Sequence, residues 1–203
     1  MLTDPWFYLV AIPAVALFGL TKGGFSGASL PAMPLLALVM PPFMAAAMVL
    51  PVLMVQDAFT VYAFRRSYDS RMLKLMLPGA ALGSLFGWLT ASSISADQVR
   101  LGVGVLAMAF CLNAWFGRRA GGGKVQPHDA VRAGLWGTVS GYTSFVIHAG
   151  GAPFNIYALP RGLPKEQLAG TSSIYFAVVN LYKVAPYLML GQLTAETLSC
   201  PRW

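Results

Sequence analysis

Charge is what this sequence has least of. Only seven of its 203 residues are Asp or Glu and 14 are Lys or Arg, too few to coat a water-soluble globule of this size. Histidine and cysteine are scarcer still, with two of each. Cys111 in an apolar run and Cys200 near the end cannot staple a fold, and the histidines and cysteines form no metal-ligand spacing. A phosphate-binding loop is missing as well: the residue five before Gly123 is Arg118, and Val125 follows Lys124 where Ser or Thr is required. No cofactor is therefore expected. Disorder is excluded from the opposite side, because 57% of the residues are hydrophobic and the mean hydropathy is +0.63. What remains is an all-α, polytopic integral membrane protein.

The net charge of +7 would suggest nucleic acid in a soluble protein, but its distribution points elsewhere. Eight of the 14 basic residues fall in two clusters, Arg65, Arg66, Arg71 and Lys74, then Arg118, Arg119, Lys124 and Arg132. Both lie between long apolar runs, as short cytoplasmic loops do under the positive-inside rule. No aromatic pattern of the nucleic-acid-binding kind accompanies them. The stretch before Trp6 holds Asp4 and no Lys or Arg, so a signal peptide is not expected. The expected location is multi-pass in the inner (plasma) membrane, with the lipid bilayer as the surrounding partner.

A hydrocarbon core of ~30 Å calls for ~20 apolar residues at 1.5 Å each. Six segments meet this: Trp6 to Met40, Pro42 to Phe64, Met72 to Ala91, Val99 to Phe116, Ala133 to Leu159 and Ala169 to Leu190. The first is too long for one straight span. It is interrupted by Lys22, Gly23, Gly24 and Gly27, then by Pro31 and Pro34, which predicts a broken helix or a helix followed by a re-entrant stretch. The fifth has a similar weak centre at His148, Gly150, Gly151 and Pro153.

These breaks coincide with an internal repeat. Gly19-x-x-x-Gly23 matches Gly137-x-x-x-Gly141 at a shift of 118, and Met33-Pro34 with the run to Met40-Pro41 falls on Ala152-Pro153 with the run to Leu159-Pro160 at a shift of 119. After a linker four residues longer, Asp57 falls on Asn180. The reading is two modules, residues 1–126 with about four spans and residues 127–203 with about two. Either the second module is cut short, leaving a transport-incompetent remnant, or a partner chain, such as a second copy in a homo-oligomer, supplies the missing spans.

Two broken segments at equivalent places suggest a carrier with its substrate site between the halves. Where a helix breaks inside the membrane, backbone N–H groups lose their intrahelical partners and a positive dipole end appears, which attracts an anion. Metal cations would call for carboxylates, and none stands beside the breaks. At these residues, Gly23-Gly24-Phe25-Ser26-Gly27 leading into Pro31 and Pro34, Gly150-Gly151-Ala152-Pro153, and Ala169-Gly170-Thr171-Ser172, the chain resembles the sulfite exporter TauE/SafE family. That family consists of membrane transporters built from two repeated modules. The resemblance implies secondary transport of small sulfur-containing anions such as sulfite or organosulfonates.

The substrate-binding candidates are Lys22, Gly23, Gly24, Ser26, Gly27, His148, Gly150, Gly151, Thr171, Ser172 and Asn180, with Asp57 as a coupling residue. Each has a plainer alternative. Lys22 offers a charge to the anion or snorkels to the interface, and Lys183, seven residues before Leu190, is expected to snorkel. Asp57 carries a coupling proton, pairs with Lys22, or makes a polar contact between helices. Thr171 to Ser173 donate hydroxyls or cap a helix start, and His148 responds to pH or is a packed hydrogen-bonding residue. Gly79, Gly83 and Gly87 form a stripe for close helix packing, while Trp6, Phe7, Tyr8 and Trp88 read as interfacial anchors. Gly24-Phe25-Ser26-Gly27 with His148 superficially resembles the Ser-His dyad of an intramembrane protease, which would need Ser26 and His148 in hydrogen-bond contact.

Overall fold

The computed structural model describes residues 5–22, 28–29, 31–91 and 126–189, with scattered positions between 93 and 112, and these residues contain no β-strand. Helix α1 runs over Pro5–Lys22, α2 over Ala32–Ala37, α3 over Pro42–Phe64 and α4 over Ser70–Ala91. Helix α5 follows at Ala130–Ile147, α6 at Gly151–Ala158 with a 3-10 turn at Leu159–Arg161, and α7 at Lys165–Met189. A long, a short and a long helix thus follow one another twice.

Local chemistry sets several boundaries. Asp129 caps α5 by accepting from the N–H groups of Val131 (2.9 Å) and Arg132 (3.1 Å), and Asp69 accepts from Met72 N (3.0 Å) in the first turn of α4. The α5 helix ends at His148, whose φ of 51° is left-handed. The amides of His148 and Ala149 fold back onto the carbonyls of Ser144 and Thr143, a closure that more often uses glycine.

Beyond this stop the chain doubles back. Ser140 Oγ donates to Gly150 O at 2.8 Å and Tyr157 OH to Asp129 O at 3.3 Å, so α6 returns beside α5 to the end where α5 began. The fifth apolar run is therefore a helix plus a re-entrant helix. In the first run, Ser29 N donates to Thr21 Oγ1 at 2.7 Å, which brings the chain back against the end of α1 before α2; Gly23 to Gly27 lie outside the described residues. Among the described residues, three helices have the length and composition to cross a membrane, Pro5–Lys22, Met44–Phe64 and Ser70–Ala91. The expected count of about six is thus met only in part. The fourth expected span falls largely outside the described residues.

Two features hold the helices together. Apolar side chains of α1, α2 and α3 meet Phe145, Val146, Ile147 and Tyr187 in one core, and α4, α5, α6 and α7 form a second around Met76, Phe154, Tyr157 and Tyr175. Between α4 and α5 the contact is made by backbone. A Cβ on Gly79 would fall on the Gly134 carbonyl, on Gly83 on that of Thr138, on Gly137 on that of Met76 and on Gly141 on that of Ala80. The α4 stripe expected from sequence is thus half of a two-sided seam. Gly137 and Gly141, read from sequence only as repeat markers, are its other half. Outward faces carry large apolar side chains, including Leu9, Ile12, Phe59, Phe86 and Leu135, as suits contact with lipid. Trp6 and Tyr8 are exposed, whereas Phe7 packs into the first core and is no interfacial anchor.

The seam makes a direct prediction. Gly83→Ala forces Cβ onto a backbone carbonyl and should destabilise the protein by about 1–3 kcal/mol, while Gly134→Ala, which meets open space, should be neutral or stabilising by up to ~1 kcal/mol. Thermal unfolding in detergent separates the two; equal effects would contradict the seam.

Candidate functional site

The interior between α1, α3, α5 and α7 holds a cluster of polar side chains that an apolar core would not need. On α7 the residues Phe176, Asn180, Lys183 and Tyr187 recur every three or four positions and share one face; Asn180, Lys183 and Tyr187 are buried. From α3 comes Asp57, 3% exposed. Lys22, the last residue of α1, reaches it as an ion pair on Oδ1. The other carboxylate oxygen, Oδ2, accepts from Asn180 Nδ2 at 2.5 Å. Lys22 Nζ also lies 5.4 Å from the centroid of the Phe176 ring, within cation–π range.

A second pair sits alongside. His148 Nε2 is 2.8 Å from the carbonyl oxygen of Ala46 on α3, and its Nδ1 is 2.9 Å from Lys183 Nζ. A carbonyl only accepts, so Nε2 carries the hydrogen. Nδ1 then accepts from Lys183, and the ring is neutral. Lys183 is fully buried. The cluster thus assembles two lysines against one carboxylate.

Beside it lies a cavity of about 50 Å³, lined by Lys22, Asn180, His148, Gly151, Ser144 and Phe176 among others. Its floor is the α5–α6 break. A Cβ on Gly151 would meet nothing within 4 Å, whereas one on Gly150 would strike Ser140 O and Ser144 Cβ. Gly151 therefore faces open space and Gly150 serves packing.

Of the residues expected from sequence, Lys22, His148, Gly151 and Asn180 meet at this cavity, with Asp57 directly behind Lys22 and Asn180. Gly23, Gly24, Ser26 and Gly27 lie outside the described residues. Thr171 and Ser172 are not brought here. Helix α7 starts at Lys165, so they do not cap it, and they lie about 12 Å or more before Asn180 along the helix. Thr171 Oγ1 instead accepts from Asp69 N at 2.8 Å and donates to Gln167 O at 2.6 Å, tying α7 to the α3–α4 turn; Ser172 Oγ donates to Ala169 O at 2.9 Å.

Lys183 corrects the snorkelling expectation: it faces inward because it shares the Asn180 face. That spacing, three residues from Asn180 inside an apolar run, was the available signal. Ser144 and the Ala46 carbonyl had none. Both His148 ring nitrogens are engaged, and nothing in the cluster favours a serine nucleophile.

Lipid-suited helices enclosing a buried, charged cluster at a helix break define a helical integral membrane protein. The family model for sulfite exporter TauE/SafE matches residues 11–200, most of the chain. The chain belongs to the sulfite exporter TauE/SafE family, whose members are membrane transporters. Comparison with curated proteins and comparison with solved structures each return no match.

The ion pair should behave as a buried one. Asp57→Leu leaves Lys22 uncompensated and should cost about 3–5 kcal/mol, and adding Lys22→Met should recover most of that loss. Unfolding of the single and double variants in detergent measures it; simple additivity would show that the two side chains do not interact.

Proposed function

We propose that the protein carries small anions, sulfite or an organosulfonate, across the inner (plasma) membrane by alternating access, binding them in the cavity beside Lys22. The observation that carries this reading is the chemistry of the cavity wall. Lys22 and the Asn180 amide present donors, and the start of α6 adds backbone N–H groups that lack intrahelical acceptors. The nearby carboxylate, Asp57, is already occupied by Lys22 and Asn180. Such a wall attracts negative charge and offers a metal cation no open carboxylate ligand. Membership in the sulfite exporter family supports sulfur oxyanions as the cargo.

Alternating access is supported by the order of elements. Residues 1–126 and 127–203 each contain a long helix, a short helix and a second long helix, and Asp57 and Asn180, equivalent in the sequence repeat, meet between α3 and α7. The two modules meet at this contact and along the α4–α5 glycine seam. Basic residues at the α3–α4 turn, Arg65, Arg66, Arg71 and Lys74, support a cytoplasmic location for that end under the positive-inside rule.

The reading is tested with the full chain in liposomes loaded with sulfite. Wild-type vesicles should release sulfite well above empty vesicles. Gly151→Val fills the cavity from a position with free space and should lower flux about tenfold or more, equivalent to ~1.4 kcal/mol on the barrier, with the melting temperature unchanged. Lys22→Gln should lower it similarly. Undiminished sulfite flux in Gly151→Val would contradict the site.

A further inference from the structure

The Lys22–Asp57 pair leaves one buried cation over. Lys183 is fully buried, and among the described residues no carboxylate lies within 4 Å of its Nζ. Its hydrogen-bond partner is Nδ1 of a neutral imidazole. An unpaired ammonium in such a place costs several kcal/mol. The amine form carries no such penalty and still has an N–H to give Nδ1, so the contact with His148 survives either protonation state.

Among the described residues, the other charged and titratable groups facing this level are committed. Lys22 from α1 is bound to Asp57 from α3, whose second oxygen takes Asn180. Thr21 Oγ1 donates to Leu17 O at 3.2 Å. A further proton on His148 Nδ1 would point at the Nζ lone pair of a neutral Lys183, 2.9 Å away, and pass to the intrinsically more basic amine. Tyr187 OH on α7 donates to Phe145 O at 2.6 Å, and on α4 the charged residues Arg71 and Lys74 are exposed near the helix start.

Resting on the anion-carrier reading above, we propose that Lys183 is the proton-carrying group of the site: empty, it is an amine; a monoanion enters together with one proton, which settles on Nζ. The balance is simple. With the site empty, Lys22 and Asp57 cancel and Lys183 is neutral. With it filled, the ammonium cancels the anion, and on release the proton returns to water. The buried cluster is neutral in both states, so neither requires an uncompensated charge inside the membrane. This places the coupling proton on Lys183, with Asp57 as the fixed counter-ion of Lys22.

The test uses the purified full chain in detergent and methanesulfonate, which stays a monoanion across the working pH range. Calorimetric titration in two buffers of different ionisation enthalpy should report about one proton taken up per anion bound. The apparent Kd should rise about tenfold per pH unit on the alkaline side. Lys183→Arg, permanently charged, should bind with no proton uptake and a Kd that is flat with pH. Where that variant does not fold, Lys183→Gln should also show no uptake, with weaker binding. Binding to the wild type without proton uptake, or uptake that persists in either variant, overturns the assignment and leaves the anion site standing. Absence of both methanesulfonate and sulfite binding to the wild type overturns the anion-carrier reading itself, and this inference with it.

Discussion

Asp57 keeps a charge in the interior of a helical membrane protein, and three helices are arranged so that it is tolerable there. Lys22 terminates α1 on one oxygen, Asn180 of α7 donates to the other, and α3 supplies the carboxylate itself. Removing Lys22 or Asp57 leaves the other as a lone buried ion, and removing Asn180 leaves one carboxylate oxygen without its donor. A lysine near a helix end ordinarily seeks the interface, but here a buried carboxylate holds it, and Ser29 N lies back against Thr21 Oγ1.

The frame around that contact is made of backbone surfaces. Helices α4 and α5 run side by side with glycines of each against carbonyls of the other, an approach that leaves no freedom for sliding. At the basic end, Thr171 accepts from Asp69 N, His128 Nε2 lies 3.1 Å from Asp69 Oδ2, and a Cβ on Gly170 would fall on the Ser67 carbonyl. The first turn of α7 is thereby fixed to the α3–α4 turn. With its start anchored there, the Phe176, Asn180, Lys183 and Tyr187 face of α7 has one depth and one direction available, which aligns Asn180 with Asp57 and Lys183 with His148.

Much of this was legible in the sequence, for reasons that can be named. The helical membrane class follows from the shortage of charge, and the break at His148 to Gly151 from glycine and proline chemistry. Asp57 and Asn180, which the sequence match pairs, are in hydrogen-bond contact. Other features were hidden because they depend on which face of a helix turns inward. Lys183 looks like a snorkelling residue when judged by its distance from the end of the apolar run; its register with Asn180, three residues earlier, decides the matter instead. Thr171 and Ser172 looked like cap residues because the apolar pattern begins near them, yet the helix extends back through Glu166 to Lys165. That early polar turn forms because it stands outside the apolar layer and is tied to Tyr68 and Asp69. The re-entrant course of α6 was also beyond reach from the run length alone, since a single broken span and a helix doubling back occupy the same number of apolar residues.

The sign of the cavity's preference follows from an asymmetry of donors and acceptors. Of the groups converging there, Lys22 and the Asn180 amide are donors, the neutral His148 ring has both nitrogens in use, and Ser144 contributes a hydroxyl. The nearby carboxylate, Asp57, is consumed by contacts that also hold the helices together. A cation entering the cavity would find no open carboxylate, whereas an anion would meet the donors of Lys22 and Asn180. Selectivity and stability thus draw on the same carboxylate. By satisfying Asp57 structurally, the fold leaves the cavity wall its donors and no open carboxylate.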